Sequence, residues 1–380
     1  MSTLNYCENS VFLKEDEKKI LNKKLNTFFK EISDELQYRR LDINLYVGGS
    51  LARKEPSIIY ANDSLKLHSD IDFILVYKNC TEMELKEFTD WVINYNPEMN
   101  STFQVLPYNN LPYITGCFAY DFLKLAENPI FQSFEVQLPT PNLTKRFLIE
   151  NIIHQFSGFF LYPHNEKNIN KAIFRAEHKY HKIKVVLESL RSQLFLLNNF
   201  EDNYKNIYKH RNTSPLNELI AEQSLLNIIK SREYYNSNEQ SFSSIDITNL
   251  LASCLKNLIV KDGIYIENNL QLFNELKQYV SQRENNVLDA FYYSSINLII
   301  ILNLKDYTYL DAYIELFTTL IKEYGQNNPK YMSLYSHTKV REYILKNQTN
   351  ELFSLFRKLH EEYHSQLAQR NSGYLKEMSL

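Results

Sequence analysis

Two aspartates separated by one residue are the side chains of this sequence best placed to do chemistry. Asp70 and Asp72 lie in the otherwise apolar segment SDIDFILVY, residues 69–77. Residues i and i+2 of a strand face the same side, so the two carboxylates project together, about 6–7 Å apart along the strand. Such a pair attracts a hard cation, and Mg²⁺ prefers carboxylate, water and phosphate oxygens. The alternative is a solvent-facing acidic edge strand, but the apolar run 73–76 favours a strand buried on both faces.

A glycine turn lies upstream of the aspartates. Gly48, Gly49 and Ser50 follow the alternating segment LDINLYV, residues 41–47, which is typical of a strand. Glycines remove side chains where the backbone must turn tightly or approach a ligand. The N–H groups of such a turn and the serine hydroxyl can bind phosphate oxygens, and Arg53 just beyond could neutralise a triphosphate. Taken alone, the same residues also fit an ordinary turn between a strand and a helix.

The order of these motifs resembles that of a known group of enzymes. GGSLAR followed by SDIDFILV resembles the signature of the DNA polymerase beta-type nucleotidyltransferase superfamily, in which an apolar strand, Gly-Gly/Ser, a spacer and Asp-x-Asp follow one another. The resemblance covers about residues 41–78, and more loosely extends to 138. It implies transfer of a nucleoside monophosphate from an NTP–Mg²⁺ complex, with release of pyrophosphate. The matching residues are Gly49 and Ser50 for phosphate, and Asp70 and Asp72 for metal. Two metals ~3.5–4 Å apart can align a triphosphate for in-line attack, so we expect two Mg²⁺ ions.

The spacer between the two motifs is longer than is usual in that superfamily. We therefore expect an inserted loop or hairpin at residues 57–68, which could cover the nucleotide or receive the acceptor. A third carboxylate is also harder to place, because the short strand expected at 103–106 contains Gln104 and no acid.

Glu135 is the leading candidate for that third carboxylate. It lies in FQSFEVQL, residues 131–138, which has the pattern of a strand. Phe134 and Val136 would face the core, so Glu135 would face the opposite side, in the same cleft as the aspartates. There it would be a third metal ligand, or the general base that takes the proton of the acceptor hydroxyl. Asp121 is the alternative, and a plain exposed strand glutamate is another.

The pattern of the chain changes near residue 140. Before it, strand patterns alternate with amphipathic helix patterns at 14–36 and 81–95. After it, almost every segment has helical periodicity. We predict an α+β fold, in which a mixed sheet with flanking helices (residues 1–140) is followed by an all-α domain (141–380). The resemblance implies that the first part is a nucleotidyltransferase fold and the catalytic domain, and that the helical part binds a substrate or partner.

The long helix expected at residues 171–198 carries a basic face. Arg175, Lys179 and Lys182 are spaced i, i+4 and i+7, and could bind the β- and γ-phosphates or the acceptor. A solvated basic surface is the alternative. Arg175 and His181 also loosely resemble the Arg and His of HEPN-type ribonuclease domains. A regulatory or toxin–antitoxin module, whose helical half cuts RNA or binds a partner, therefore stays open as a second function. A nucleotide cyclase that makes oligonucleotide signals is a third.

Composition restricts the partners. The chain has 42 Lys and Arg against 45 Asp and Glu, and this net charge of -3 makes long nucleic acid an unlikely acceptor. A small molecule or a protein is favoured as the acceptor, with ATP, an abundant NTP, as the expected donor.

The four cysteines form no C-x-x-C pair, so a zinc ribbon is not expected. The most apolar run, 296–304, is far shorter than the ~20 residues of a membrane span, and we expect a cytoplasmic protein without membrane partners.

Overall fold

The structure is a computed structural model of the chain. It describes residues 4–61, 64–114, 129–140, 143–161, 171–198, 203–235 and 246–260, with short pieces at 120, 122–123, 263, 266–267, 271–272, 274–276, 315 and 376–377. The strands are β1 Ile43–Val47, β2 Ile58–Ala61, β3 Ser64–Leu67, β4 Ile71–Tyr77, β5 Ser101–Pro107, β6 Phe131–Gln132 and β7 Lys376–Glu377. The helices are α1 Glu15–Arg39, α2 Gly49–Ala52, α3 Glu82–Tyr95, α4 Lys145–Leu161, α5 Lys171–Leu194, α6 Tyr204–Lys209, α7 Leu216–Leu219, α8 Glu222–Glu233 and α9 Ile247–Val260. The predicted α+β class is confirmed.

The central sheet is mixed and is built around β4. Its strand order is β6-β1-β4-β5-β7, in which β1 runs antiparallel to β4 and β6. β4 runs parallel to β5, and the short β7 pairs antiparallel with β5. Residues 73–76 of β4 have no exposed surface, because apolar layers cover both faces of the sheet. The expectation that the aspartates belong to a central strand is confirmed, whereas β7 is a strand that the sequence patterns do not predict.

The two faces of β4 belong to different hydrophobic layers. Phe73 and Leu75 join the larger layer, which α1 and α3 complete. Ile74 and Val76 join a smaller layer on the opposite face. Side chains alternate along a strand, so Asp72 points to the same side as Ile74 and Val76. The carboxylate therefore lies on the face with the thinner apolar cover.

The inserted segment at 57–68 is a hairpin, as expected. Its strands β2 and β3 pair antiparallel, with Ile58 opposite Leu67. The hairpin also contacts the helical half. The N–H of Tyr235 donates to the Ile58 carbonyl at 3.0 Å, and the Ser57 hydroxyl donates to the carbonyl of Arg232. The insertion thus joins the sheet to the end of α8.

The strand expected at 131–138 is shorter than predicted, because the buried side chain of Asn44 ends it. β6 pairs with β1 over only two residues. Beyond them, the Asn44 amide donates to the Phe134 carbonyl at 2.9 Å, and its oxygen accepts the N–H of Ser133 at 2.9 Å. These bonds take the backbone groups that a longer strand would use. Phe134 and Val136 then pack against the smaller layer, not the larger one.

The second half of the described chain is helical. Between residues 143 and 260, each described element is an α-helix or a 3₁₀ turn. α5 is the central helix and packs against α4, α6, α8 and α9. None of the helices that the structure describes is long and apolar enough to cross a membrane. The division into two domains near residue 140 stays a prediction.

Glu233, the last residue of α8, anchors the N-terminal segment. Its carboxylate accepts three consecutive backbone N–H groups: Val11 at 2.6 Å, Phe12 at 2.7 Å and Leu13 at 3.1 Å. Glu233 is 4% exposed, so water could not easily replace these bonds. The contact links the start of the chain to the helical half.

We expect Glu233→Ala to lower the free energy of unfolding by about 2–4 kcal/mol, because it leaves these N–H groups without an acceptor. Urea denaturation followed by circular dichroism measures the change. Glu218→Ala, at an exposed position of α7, is the matched control and should change stability by less than about 0.5 kcal/mol. Equal stability of the two variants would contradict the anchoring role of Glu233.

Candidate active site

Asp70 and Asp72 lie together at the start of β4, as predicted. Asp70 directly precedes the strand and Asp72 is its second residue, and both are half-buried. Thr102 of β5 is the register partner of Asp72, and its hydroxyl donates to Asp72 Oδ1 at 3.1 Å. The neighbouring strand therefore fixes the orientation of one carboxylate. Asp70 lies between the bend at Ser69 and the first residue of the strand.

The glycine turn lies directly against Asp72. The N–H of Gly48 donates to the carbonyl of Asp72 at 2.6 Å. Gly49 has φ +56°, and a Cβ at this position would overlap Asp72 Oδ2 and lie 2.9 Å from its Cγ. Position 49 therefore requires glycine for two reasons: the positive φ disfavours other residues, and the Asp72 carboxylate occupies the place of a Cβ. Ser50 follows, buried in the single turn of α2. The two motifs that are 20 residues apart in sequence thus form one site.

Lys184 supplies the positive charge opposite the carboxylates. The pKa of Asp72 is raised to about 6. Burial is the largest cause and the charge of Asp70 the second, and both outweigh the lowering effects of Lys184 and the Thr102 hydroxyl. The phenol of Tyr180 and the two carboxylates raise the pKa of Lys184 against the effect of its burial, so this residue stays charged. α5 therefore brings a cation from the helical half to the aspartates of the sheet.

Arg53 lies beneath the turn in a buried ion network. Its Nε is 2.6 Å from Glu55 Oε1, and its Nη2 is 3.8 Å from Glu188 Oε1 on α5. Glu188 also contacts Arg191 at 3.0 Å and accepts the hydroxyl of Tyr204 at 2.8 Å. Burial alone would raise the pKa of Glu188, but Arg191 and Arg53 lower it to about 2. Arg53 thus links the glycine turn to α5. The sequence pattern predicts that Arg53 neutralises a triphosphate, and it does not predict this ion network.

The structure does not bring Glu135 to the aspartates. Phe131 of β6 is level with Leu75 of β4, since both face Leu45 of β1. β6 runs in the same direction as β4, so Glu135 lies farther along, towards the end of β4 that is remote from Asp72. Its side chain is exposed. The expected convergence assumed that Phe134 and Val136 pack on the face of Phe73, whereas they pack on the other face.

The remaining predicted residues belong to α5 or lie outside the described part. Lys182 is half-buried on α5, and its burial lowers its pKa. Lys179 and Arg175 lie on the same helix, but their side chains fall outside the described residues, as does Asp121. The ring of His181 contacts that of Tyr180 edge-on, with centroids 5.6 Å apart. The expected pairing of His181 with Arg175 lies outside the described residues, because the side chain of Arg175 is not described.

Sequence patterns missed two residues of the site, Thr102 and Lys184. Thr102 carries no signal of its own, because a hydroxyl in a strand is common. Lys184 does: together with Glu188 it interrupts the apolar run of α5 at i and i+4, where one helix face is otherwise buried. Charged residues within a buried stripe indicate polar partners on the element that the stripe covers.

The two carboxylates fit a divalent cation. Within the described ranges, no group of three or more His, Cys, Asp or Glu side chains is placed to bind a metal ion. Mg²⁺ needs only one or two protein carboxylates, because water and phosphate oxygens complete its shell. The raised pKa of Asp72 reports repulsion and desolvation that a bound cation would relieve.

Comparison with models of protein families, with curated proteins and with solved structures found no match. The functional interpretation therefore rests on the geometry of this site.

We expect Gly49→Ala to destabilise the protein by more than the strain of an alanine at positive φ. Gly263 is the matched control, because it has φ +78° and open space around the position of a Cβ. Gly263→Ala should cost about 1 kcal/mol, whereas Gly49→Ala should cost more, since it also displaces Asp72. Urea denaturation measures both. In a double-mutant cycle, Asp72→Ala should remove most of the additional cost, and additive effects would argue against the contact.

Asp72→Asn should raise the free energy of unfolding in the absence of divalent cations. An ordinary aspartate has a pKa of 3.8, and that of Asp72 is raised to about 6. The wild type therefore loses stability as the pH rises through this window, by about 1–3 kcal/mol. Asparagine keeps the acceptor for Thr102 and does not ionise. The stabilisation should be present near pH 7.5 and absent near pH 4 in urea denaturation with a chelator. Equal effects at both pH values would contradict it.

Proposed function

We propose that this protein is a Mg²⁺-dependent nucleotidyltransferase of the superfamily that its motifs resemble. The observation that carries the proposal is the contact of Gly49 with the carboxylate of Asp72. A turn that exposes backbone N–H groups directly beside an acidic pair suits an anionic ligand that is bound together with its cation. An NTP–Mg²⁺ complex has this chemistry. ATP is the donor that we propose, and Asp70 and Asp72 are the proposed metal ligands.

The proposed reaction is an in-line displacement at the α-phosphorus. A lone pair of the acceptor hydroxyl forms the new P–O bond, and the bond to the pyrophosphate oxygen breaks, so pyrophosphate leaves with that electron pair. The hydroxyl proton passes to a base. Mg²⁺, when bound, would neutralise the negative charge that develops on the phosphate oxygens. The backbone of Gly48, Gly49 and Ser50 would hold the polyphosphate close to the two aspartates.

Lys184 has a second role in this proposal. Without a cation, its ammonium group is the counter-charge of Asp70 and Asp72. Once the aspartates bind a cation, their charge no longer compensates that of Lys184, which is then available to the bound polyphosphate. The same side chain would therefore keep the empty site stable and attract the substrate to it.

The base for the acceptor proton is not assigned to Glu135. Its segment is held against Asn44, and it would have to leave that position to approach Asp72. Thr102 and Gln104 occupy the face of β5 beside Asp72, and neither is an acid. Asp70 and Asp72 are the proposed metal ligands, so solvent water is the proposed acceptor of the proton.

The test is incubation with each of four α-labelled NTPs, Mg²⁺ and cell extract, followed by mass analysis of the labelled product. We expect one NTP to label a small molecule or a protein. Asp70→Asn and Asp72→Asn should lower the rate at least about 100-fold, with the fold intact. Glu87→Gln, an exposed acid on α3, should leave the rate unchanged. Wild-type turnover in Asp70→Asn would refute the metal assignment, and absence of label with all four NTPs would refute the function.

A further inference from the structure

Arg232 is a buried cation whose donors are not satisfied. It is 3% exposed at the end of α8. In the described part of the chain, its Nε and Nη1 atoms are enclosed and have no hydrogen-bond partner. A buried guanidinium normally binds a carboxylate or phosphate with these groups, often in a bidentate manner. Its unpaired donors therefore indicate a missing anion.

The nearest carboxylates are already engaged. Glu55 influences Arg232 electrostatically, but its two oxygens bind Arg53 Nε and the N–H of Tyr204, each at 2.6 Å. Glu188 is held by Arg191 and by the Tyr204 hydroxyl. The acids of this interface therefore do not pair with Arg232 in the described structure.

One aromatic ring lies next to the guanidinium, and further rings pack against that ring. The ring of Tyr180 lies 5.7 Å from its Cζ. His68 meets Tyr180 at 5.9 Å and stacks on Tyr235 at 3.7 Å. Tyr180 is half-buried, so its ring lies between the enclosed guanidinium and exposed surface.

This cluster lies beside the candidate active site. His68 comes two residues before Asp70, and Tyr180 comes one helical turn before Lys184 on α5. A ligand at the aspartates could extend past Lys184 to Arg232 along this side of α5. When a cation occupies the aspartates, Lys184 would lose the compensation by their negative charge while Nε and Nη1 of Arg232 stay without acceptors, and the need for an anion would increase.

We propose that Arg232 is a binding residue for an anionic group, phosphate or carboxylate, of a ligand in the Asp70–Asp72 cleft, with Tyr180 as the side chain that covers it. This inference rests on the proposed function. The group belongs to the polyphosphate of the NTP or to the acceptor. In the second case the acceptor is itself an anion, which narrows its chemical class.

Arg232→Met tests the proposal, with Lys209→Met, an exposed cation of α6, as the control. The variant should be at least as stable as the wild type, because methionine removes donors that lack acceptors; a purely structural arginine would give a less stable variant. Arg232→Lys keeps the charge and serves as a second variant if Arg232→Met does not fold. Tyr180→Ala should strengthen anion binding by uncovering the guanidinium.

Calorimetry distinguishes the two sources. In the first titration, α,β-methylene-ATP with Mg²⁺ is added to each protein. If Arg232→Met binds the analogue about tenfold more weakly or worse, the anionic group at Arg232 belongs to the polyphosphate. In the second, inorganic phosphate and acetate are added to protein saturated with that analogue. If Arg232→Met keeps its affinity for the analogue but no longer binds phosphate or acetate, the anionic group at Arg232 belongs to the acceptor.

A third titration separates this inference from the proposed function. Inorganic phosphate alone is added to the wild type and to Arg232→Met. If the wild type binds phosphate through Arg232 but binds no Mg²⁺–nucleotide, the anion site stands and the nucleotidyltransferase proposal fails. If the analogue, phosphate and acetate bind the wild type and Arg232→Met equally, or do not bind the wild type at all, the proposal for Arg232 is overturned.

Discussion

Two carboxylates at the start of a central strand impose the constraint on which the rest of this structure depends. They lie side by side and are partly removed from water, so their repulsion has to be compensated. The Thr102 hydroxyl of the sheet compensates part of it. The absence of a side chain at Gly49 leaves the space that the Asp72 carboxylate occupies. The larger part comes from Lys184, which belongs to the other half of the chain. The acidic pair therefore determines where α5 has to lie.

The buried ion network holds α5 in that position. Arg53 follows the glycine turn directly and reaches Glu55 and, across the interface, Glu188. Replacement of a buried ion network by apolar residues is often neutral or stabilising, so such a network is weak evidence for stability. Its geometry is more informative. It places Glu188 of α5 beside Arg53, in the same arrangement in which Lys184, one turn earlier on the helix, compensates the aspartates.

Local sequence patterns predicted the parts of the site that lie within one strand or one turn. Gly49, Asp70 and Asp72 were recognisable because positive φ, close approach and shared strand face leave local signatures. Lys184 and Arg232 could not be assigned to the site in this way, because their positions depend on how helices far along the chain dock, although Lys184 marks its helix face as one with polar partners. Glu135 shows the corresponding limit within the sheet. The alternation of side chains predicted that Glu135 points away from Phe134 and Val136. Which face of the sheet those two residues cover depends on the hydrogen bonds of Asn44, which the pattern does not reveal.

The bonds of Glu233 also determine when the protein can be completed. Val11 and Glu233 are 222 residues apart. A ribosome adds about 5–20 residues per second, so the amides of residues 11–13 wait roughly 10–45 s for their acceptor during synthesis. Strands β1, β4 and β5 can pair in that interval, because they are all translated early. A nascent chain that ends between Tyr77 and Arg232 thus contains both motifs of the site and still lacks the group that binds its own N-terminal segment.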